Sequence, residues 1–289
     1  MDAATRIELA LTVAVARAEA PGCPPRLGAA LRHAVFPRGA RIRPRLCLAV
    51  AAACGDDDPT AADAAAAAVE LLHCASLVHD DLPCFDDAPT RRGKPSVHRA
   101  FGEPLAVLAG DALIVLAFET LARGTARVPD RLAALVMVVG RAVGAPNGIA
   151  AGQAWECEPA ADLAEYHRAK TGALFAGATL AGAAAAGADP APWRELGERL
   201  GEAYQVADDI RDAAGDPDEL GKPVGRDLDL GRQSAVLTLG LDGAIARLDG
   251  LVAAAVDSLP ACPGRPELQG LIRAQAARFL PNGLARVAA

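Results

Sequence analysis

The seven cysteines of this sequence include no CxxC pair. The absence of such a pair argues against a structural zinc site and against a dithiol redox motif. The cysteines lie largely among apolar residues, as reduced buried thiols do, at positions 23, 47, 54, 74, 84, 157 and 262. We therefore expect reduced thiols and a cytoplasmic location.

The sequence also has no cluster of basic residues. Lysines and arginines are scattered or paired with acids, and the formal net charge is −7 with a pI near 5.3. This distribution argues against a nucleic-acid partner, which requires a basic surface. An anionic ligand would have to be held by a few cations at one local site.

No linker rich in Ser, Gly or Pro divides the chain, and no repeat is present, so we expect one domain over residues 1–289. The first twenty residues lack the uninterrupted apolar core of a secretion signal, and we expect no cleavage. The longest charge-free run, 171–188, consists mostly of Ala and Gly. These residues transfer weakly into lipid but permit close helix packing, so we expect a buried core helix and no stable membrane insertion.

Alanine and other hydrophobic residues are abundant, at 52% of the chain. Helical spacing of apolar residues predicts helices over 3–19, 43–54, 60–81, 105–123, 130–143, 162–187, 192–213, 243–258 and 265–279. The sequence therefore predicts an all-α fold, a single-domain bundle of long helices around a central cavity.

The segment HDDLPCFDDAPTRRG, residues 79–93, places four aspartates and two arginines within fifteen positions. Carboxylates this close repel one another, so the group indicates a bound cation. Asp80 and Asp81 end a predicted helix, and Pro83 stops that helix so that Asp86 can fold back. Oxygen ligands without nearby Cys or paired His favour magnesium over zinc.

A second acidic group occurs in YQVADDIRDAAGD, where Asp208 and Asp212 are four residues apart and share one helical face, with Asp209 beside them. Either group alone is more typical of a solvated helix surface. Together, two acidic helix ends in an apolar bundle can hold magnesium ions and clamp a diphosphate between them.

These motifs resemble those of the trans-prenyltransferases, or polyprenyl diphosphate synthases. LVHDDLPCFDDAPTRRG is similar to the first aspartate-rich motif of that family, and QVADDIRD is similar to the second. The resemblance covers nearly the whole chain and is strongest to bacterial members of the carotenoid and photosynthetic pigment branch. Further motifs occur in the family's order, namely GARIRP, ELLHCASL, AGDALIVLAFE, HRAKTGALF and LGKPVGRD.

The resemblance implies an isoprenoid synthase class I fold and a magnesium-dependent condensation. An allylic diphosphate (dimethylallyl, geranyl or farnesyl) ionises to a carbocation, isopentenyl diphosphate attacks it, and a proton is lost. The expected product is geranylgeranyl diphosphate. Because the released diphosphate is the family's usual base, we assign no side chain as general base.

The resemblance also implies residue roles. Magnesium is expected at Asp80, Asp86 and Asp208, supported by Asp81, Asp209 and Asp212. The allylic diphosphate is expected to contact Arg91, Lys170, Gln205 and Lys222, with the oxygen of Thr171 near the developing cation. Isopentenyl diphosphate is expected to be held by Arg43, His73 and Arg92.

Two positions depart from the family pattern. Ala40 stands where the family commonly has Lys, so we expect weaker isopentenyl diphosphate affinity or compensation by Arg41 or Arg38. In GRQS, Arg232 replaces a Lys and keeps a cation, so we expect it to serve substrate binding equally well.

Product length is expected to depend on the helix before Asp80. Ala75 and Ser76 lie about one turn before Asp80, where we expect them to face the growing chain. Both are small, whereas relatives that stop at fifteen carbons commonly have a bulky aromatic there. We therefore expect a twenty-carbon product. The floor of the cavity that holds the growing chain would then lie deeper, near Leu72 or around Leu113 and Leu116.

Several alternatives remain open from the sequence. A farnesyl diphosphate synthase would share every motif. A class I terpene cyclase would not need Arg43, His73 and Arg92 for a second diphosphate, and a regulatory subunit of a heteromeric synthase typically lacks one aspartate motif. A purely structural bundle would gain nothing from so many like charges. The family is generally homodimeric, and the segment 171–188 permits close packing either inside or between subunits.

Overall fold

The computed structural model describes residues 1–36, 39–160, 163–214 and 234–276. Most of these residues are helical, and the only sheet in the described ranges is a hairpin of two short antiparallel strands. The prediction of an all-α fold is therefore confirmed.

The longer helices are α1 (Ala3–Ala18), α2 (Pro25–Val35), α3 (Ile42–Ala53), α4 (Pro59–Asp80), α6 (Glu103–Gly124), α7 (Leu132–Val143), α10 (Ala173–Ala185), α11 (Arg194–Ala214), α12 (Ala235–Asp257) and α13 (Arg265–Ala276). The shorter elements are β1 (Thr90–Arg91), β2 (Lys94–Pro95), α5 (Val97–Phe101), α8 (Ile149–Ala154), α9 (Leu163–His167) and a π-helical turn (Arg168–Gly172). Three-residue 3₁₀ helices lie at Pro129–Arg131, Trp155–Cys157 and Ala191–Trp193.

Helix α4 begins where the sequence supplies a cap. The Asp58 side chain accepts hydrogen bonds from the backbone N–H groups of Thr60 and Ala61, and Pro59 occupies the first helical position. Both features satisfy or remove the donors that a helix start leaves unpaired. From this cap the helix runs 22 residues and ends at Asp80.

Two helices lie at the centre of the fold, α4 and α10. Fourteen residues of α4 are buried, as is every residue of α10 from Leu174 to Ala185. A Cβ atom at Gly182 would lie 2.3 Å from the carbonyl oxygen of Cys47, so α10 packs closely against α3. The segment 171–188 therefore packs within the subunit.

Two sequence expectations need correction. The region 162–187 is not one helix, because the π-helical turn separates α9 from α10. Only Cys47 and Cys74 are buried, whereas Cys84 and Cys157 are exposed and the other three cysteines are intermediate. Apolar sequence neighbours do not determine burial in loops, where no helical face directs the side chain inward.

Two helices in the described ranges have the length and apolar composition of a membrane span, α4 and α6. The relevant window of α4 is 78% buried inside the protein, whereas that of α6 is 44% buried. Helix α6 presents Val107, Leu108 and Val115 to the surface. Its outer face therefore has large apolar side chains that are uncovered in a single chain, beside the exposed acids Asp111 and Glu119.

Candidate active site

The first acidic group forms at the C-terminal end of α4. Asp80 is the last helical residue and Asp81 is the C-cap. The backbone N–H of Asp86 donates to the carbonyl oxygen of Asp80 at 3.0 Å, and that of Ala88 donates to Asp81 at 3.2 Å. The loop after Pro83 thus folds back over the helix end, as the sequence predicts.

Cations contact both carboxylates of this helix end. Arg91 Nε donates to Asp81 Oδ1 at 2.9 Å, and Arg91 Nη2 lies 3.7 Å from Asp80 Oδ2. Lys170 Nζ lies 3.4 Å from Asp80 Oδ1. Burial raises the pKa of Asp80, and Lys170 only partly offsets this effect. Burial likewise raises the pKa of Asp81 against the opposing effect of Arg91. Further positive charge would stabilise both ionised forms.

Lys170 is held in place by Glu156. Lys170 Nζ donates to Glu156, which also accepts a hydrogen bond from the Tyr166 hydroxyl at 2.7 Å. Burial opposes the charged form of Lys170, but Glu156 and Asp80 outweigh it and the pKa of Lys170 is raised. Lys170 is therefore a fixed, permanently charged group beside Asp80.

The second acidic group lies on one face of α11. Asp209 and Asp212 are buried, whereas Asp208 is partly exposed and lies 3.2 Å from Arg211 Nη2. Asp209 accepts hydrogen bonds from Gln205 Nε2 at 3.1 Å and from the backbone N–H of Ala235 at 2.7 Å. Asp208 is thus the acid of this group with the most accessible carboxylate.

The π-helical turn connects the two acidic groups. Lys170 reaches Asp80, and the next residue, Thr171, donates its hydroxyl hydrogen to Gln205 Oε1 at 3.1 Å. Gln205 in turn binds Asp209. Since π-helical turns are often found at functional sites, this one fits its position between the two motifs. A chain of contacts through Lys170, Thr171 and Gln205 therefore links the two acidic groups.

A separate cationic group lies next to α4, two turns before Asp80. Arg43 Nη1 lies 3.5 Å from His73 Nε2, and the Arg43 guanidinium stacks over the Phe175 ring at 4.5 Å. Burial, then Arg43 and Arg92, hold the pKa of His73 well below its usual range. Burial also lowers the pKa of Arg43, whose Nε atom has no hydrogen-bond partner. An anion bound here would relieve the cost of burying this charge.

Along α4, partly exposed residues form one stripe that joins both groups. His73, Ser76, Leu77 and Asp80 follow a spacing of three or four residues and are all partly exposed. Ala75 is only 1% exposed and packs in the main core, about 140° around the helix from Asp80. Ser76 therefore faces the Asp80 side of the helix more directly than Ala75.

The acidic residues fit a hard divalent cation by the chemistry of their donors. All candidate ligands are carboxylate oxygens, the type that magnesium prefers. Within the described ranges, no three His, Cys, Asp or Glu side chains converge on one point. Asp80 and Asp81 instead contact Lys170 and Arg91, so these cations compensate the carboxylates.

Four of the predicted residues either lie outside the described ranges or make other contacts than expected. Lys222, Arg232 and Arg38 lie outside the described residues. Arg41 does not compensate for Ala40, because its guanidinium binds Glu70, Glu8 and the carbonyl oxygen of Val35. That part of the prediction was wrong, since sequence spacing does not reveal which acids a side chain meets.

The sequence interpretation missed two acids, Glu70 and Glu156. Glu70 stands alone in the apolar run AAAAAVELLHC, three residues before His73, and a charge in such a run is a signal in itself. Glu156 carries no such signal, because it contacts Lys170 only through the tertiary fold.

The sequence and the fold are similar to those of known proteins. The polyprenyl synthetase family model matches residues 24–254. A geranylgeranyl diphosphate synthase of Cereibacter sphaeroides is 55% identical over 97% of each chain, and one of Rhodobacter capsulatus is 51% identical over 95% of each. A Helicobacter pylori geranyltransferase solved with magnesium and isoprenyl diphosphate has a TM-score of 0.78 at 28% identity and covers 95% of this chain and 97% of its own. The chain therefore belongs to the polyprenyl synthetase family.

Proposed function

We propose that this protein is a magnesium-dependent prenyltransferase that condenses isopentenyl diphosphate with allylic diphosphates to give geranylgeranyl diphosphate. One observation carries this proposal above all. The partly exposed stripe of α4 joins an acidic group at Asp80 to a separate cationic group at His73. Two sites of opposite charge on one helix suit two diphosphates that are bound in different ways.

The acidic site serves the allylic substrate. Asp80, Asp86 and Asp208 would hold the magnesium ions, supported by Asp81, Asp209 and Asp212. Bound magnesium would neutralise the charge that builds on the diphosphate as its carbon–oxygen bond breaks. Lys170 and Arg91 bind the same diphosphate directly, and their contacts with Asp80 and Asp81 orient them for it.

Thr171, which Gln205 holds in place, stabilises the allylic carbocation as it forms. The Thr171 hydroxyl oxygen retains acceptor capacity while it donates to Gln205. An oxygen dipole near the allylic carbon favours the developing positive charge. Because Gln205 also binds Asp209, the position of this hydroxyl is linked to the second acidic group.

The cationic site serves isopentenyl diphosphate. The guanidinium of Arg43 and that of Arg92 present planar forks of donors that match phosphate oxygens. Neutral His73 adds a ring N–H donor without adding another charge that repels its neighbours. The diphosphate released from the allylic substrate accepts the final proton, so no side chain is needed as base.

The twenty-carbon product is supported by the small residues before Asp80 and by the relatives named geranylgeranyl diphosphate synthase. A farnesyl diphosphate synthase is the second candidate, favoured by the geranyltransferase among the structural neighbours. A regulatory subunit is disfavoured, because both aspartate motifs are complete.

The direct test uses the purified chain without any partner. It is incubated with magnesium, isopentenyl diphosphate and each of the three allylic primers, and the products are sized by chromatography. Geranylgeranyl diphosphate as the main product supports the proposal, and its loss on addition of EDTA supports the metal requirement. A main product of fifteen carbons would replace it with the farnesyl alternative, and no product without a second protein would favour a regulatory subunit.

We further infer a homodimer that packs through α6. Val107, Leu108 and Val115 on this helix are 42%, 52% and 59% exposed. Exposure of such a row of apolar side chains to water is unfavourable, and the same face of a second copy would cover it. The apolar character of α6 is thereby explained without a membrane.

A further inference from the structure

A buried carboxylate that no step of the proposed reaction uses lies beside the cationic site. Glu70 of α4 is 1% exposed. Its Oε1 atom accepts a hydrogen bond from Arg41 Nη1 at 2.6 Å and lies 3.7 Å from Arg92 Nη2. Because Arg41 precedes α3 and Arg92 lies in the hairpin turn, one acid joins three parts of the fold.

The backbone at both arginines is held in an uncommon conformation. In the described part of the chain, the residues other than glycine with a positive φ are Arg41 at 50°, Asp87 at 44° and Arg92 at 52°. The left-handed conformation is strained for residues that carry a Cβ atom and persists only where surrounding contacts hold it. Two of these three residues contact the same carboxylate, which identifies Glu70 as one of the groups that hold them.

All three nitrogens of the Arg41 guanidinium donate to acceptors inside the protein. Its Nε donates to Glu8 at 3.0 Å, its Nη2 donates to the carbonyl oxygen of Val35 at 2.8 Å, and its Nη1 binds Glu70. Arg41 is the N-cap of α3. Fixing it therefore fixes the start of the helix on which Arg43 lies two residues later.

The contact of Arg92 with Glu70 is longer than that of Arg41. Arg92 Nη2 lies 3.7 Å from Glu70 Oε1, which is an ion-pair distance and longer than a hydrogen bond. The guanidinium also lies against the backbone of Gly39, where an added Cβ would be 2.7 Å from Arg92 Cζ. Glu70 thus acts on Arg92 through its negative charge, and Gly39 limits where the guanidinium can lie.

We propose that Glu70 is a positioning residue for isopentenyl diphosphate. It orients Arg92 directly and Arg43 through Arg41, and its negative charge offsets the repulsion among these arginines while the site is empty. The inference rests on the proposed function. It also explains how the site operates with Ala40 in place of a further cation, because the remaining two arginines are fixed in advance.

The test compares steady-state kinetics of three variants with the wild type. Glu70→Gln removes the charge and should raise the KM for isopentenyl diphosphate about tenfold, the loss expected for one charge-assisted contact. The KM for farnesyl diphosphate should stay within about twofold, because that substrate binds at the acidic site. Asp63→Asn is the matched control, since it removes the charge of another α4 acid that is paired with an arginine, Arg6, and should leave both KM values unchanged.

Gly39→Ala keeps the test decisive if Glu70→Gln does not fold. The added methyl group displaces the Arg92 guanidinium but leaves Glu70 paired with Arg41, so the KM for isopentenyl diphosphate alone should rise. The inference is overturned if Glu70→Gln folds and leaves this KM within twofold of wild type, or if both KM values rise equally. It is also overturned if only Gly39→Ala folds and leaves the same KM unchanged.

Calorimetric titration of isopentenyl diphosphate into each variant separates this inference from the proposed function. A wild type that forms no product contradicts the proposed function. The positioning role then stands if Glu70→Gln weakens the Kd about tenfold. Where Glu70→Gln does not fold, Glu70→Asp, which draws the carboxylate back from both arginines, should weaken the Kd in the same direction. It fails if the Kd is unchanged.

Discussion

At the scale of single residues, the site is built from acids that are already paired with cations. Asp80 and Asp81 contact Lys170 and Arg91, although burial raises the pKa of both carboxyl groups. Burial makes the ionised form of a carboxylate unfavourable, so such a group contributes little to folding. Its presence in the site therefore indicates a ligand. The free energy lost through burial would be regained when a metal ion and a diphosphate bind.

Asp80→Asn should therefore lower activity far more than stability. We expect kcat to fall by about 10²–10³, as for loss of a group that stabilises transition-state charge. The free energy of unfolding should change by less than about 1 kcal/mol, because the amide is not subject to the cost of burying a charge. Activity assays and urea unfolding measure the two effects.

Glu195→Gln provides the control for this variant. Glu195 is an exposed acid in the first turn of α11 and is paired with Arg199. It should leave both kcat and stability near wild type. An Asp80→Asn variant that keeps its turnover would contradict the role of Asp80 as a metal ligand.

Single residues also show how far the sequence determines the site. The folding of the loop back over Asp80 was predictable, because Pro83 is a local signal that stops a helix. The pairing of Arg41 with Glu70 was not, since it depends on the left-handed backbone at Arg41 and on contacts across 29 positions. Spacing along the chain carries no information on such contacts.

At the scale of elements, α4 positions most of the site. It begins at the Asp58 cap, passes through the core and presents His73, Ser76 and Asp80 on one side. Its bounds were predicted to within one residue, because its apolar run and proline stops are local signals. The hairpin Thr90–Pro95 was not predicted, since its strands are two residues long and lack an alternating pattern.

Substitutions on α4 should change product length. Ser76→Phe places an aromatic ring on the same side of the helix as Asp80 and should shift the product to farnesyl diphosphate. Ala75→Tyr should shorten the product as well, but overpacking of the core should also cost about 1–3 kcal/mol of stability. Product chromatography decides between these outcomes, and twenty-carbon product alone from both variants would contradict a floor at this level.

The cap of α4 should make stability depend on pH. Two hydrogen bonds from Arg127 lower the pKa of Asp58. A depressed pKa in the folded state gives stability that is present above the unfolded pKa of about 4 and is lost as pH falls through the folded value. Asp58→Ala should lower the free energy of unfolding by about 1–2 kcal/mol at pH 7.

Asp58→Asn separates the cap from the charge. Its side-chain oxygen can still accept the backbone N–H groups, so it should retain part of the stability at pH 7. It should also reduce the loss of stability on acidification. Thermal unfolding at pH 7 and pH 3 measures both effects, and identical acid sensitivity in wild type and Asp58→Asn would exclude this ion pair as a cause.

At the scale of the whole molecule, the helices form one continuous bundle around α4 and α10. The fold class followed from composition and periodicity, because helical amphipathicity is encoded locally. The burial of the run 171–188 was also predicted, but the exposed face of α6 was not. The run 171–188 and α6 are both strongly apolar, yet α10 is buried throughout and α6 exposes a row of large side chains.

This exposed row of α6 should mediate self-association. Leu108→Glu places a charge in the proposed interface and should convert a dimer into a monomer in sedimentation velocity. Leu9→Glu is a matched control, because Leu9 on α1 is equally exposed at 52%. A wild-type monomer, or dimers in both variants, would contradict an interface on α6.

The central claim is that the acids of α4 and α11 hold the same diphosphate through metal ions. A crystal structure with Mn²⁺ and a non-reactive allylic thiolodiphosphate tests it most directly, because anomalous scattering locates each ion. We predict ions bound to Asp80 and Asp86 on one side of the diphosphate and to Asp208 on the other. Ions at only one group, or a diphosphate that contacts neither, would contradict the account.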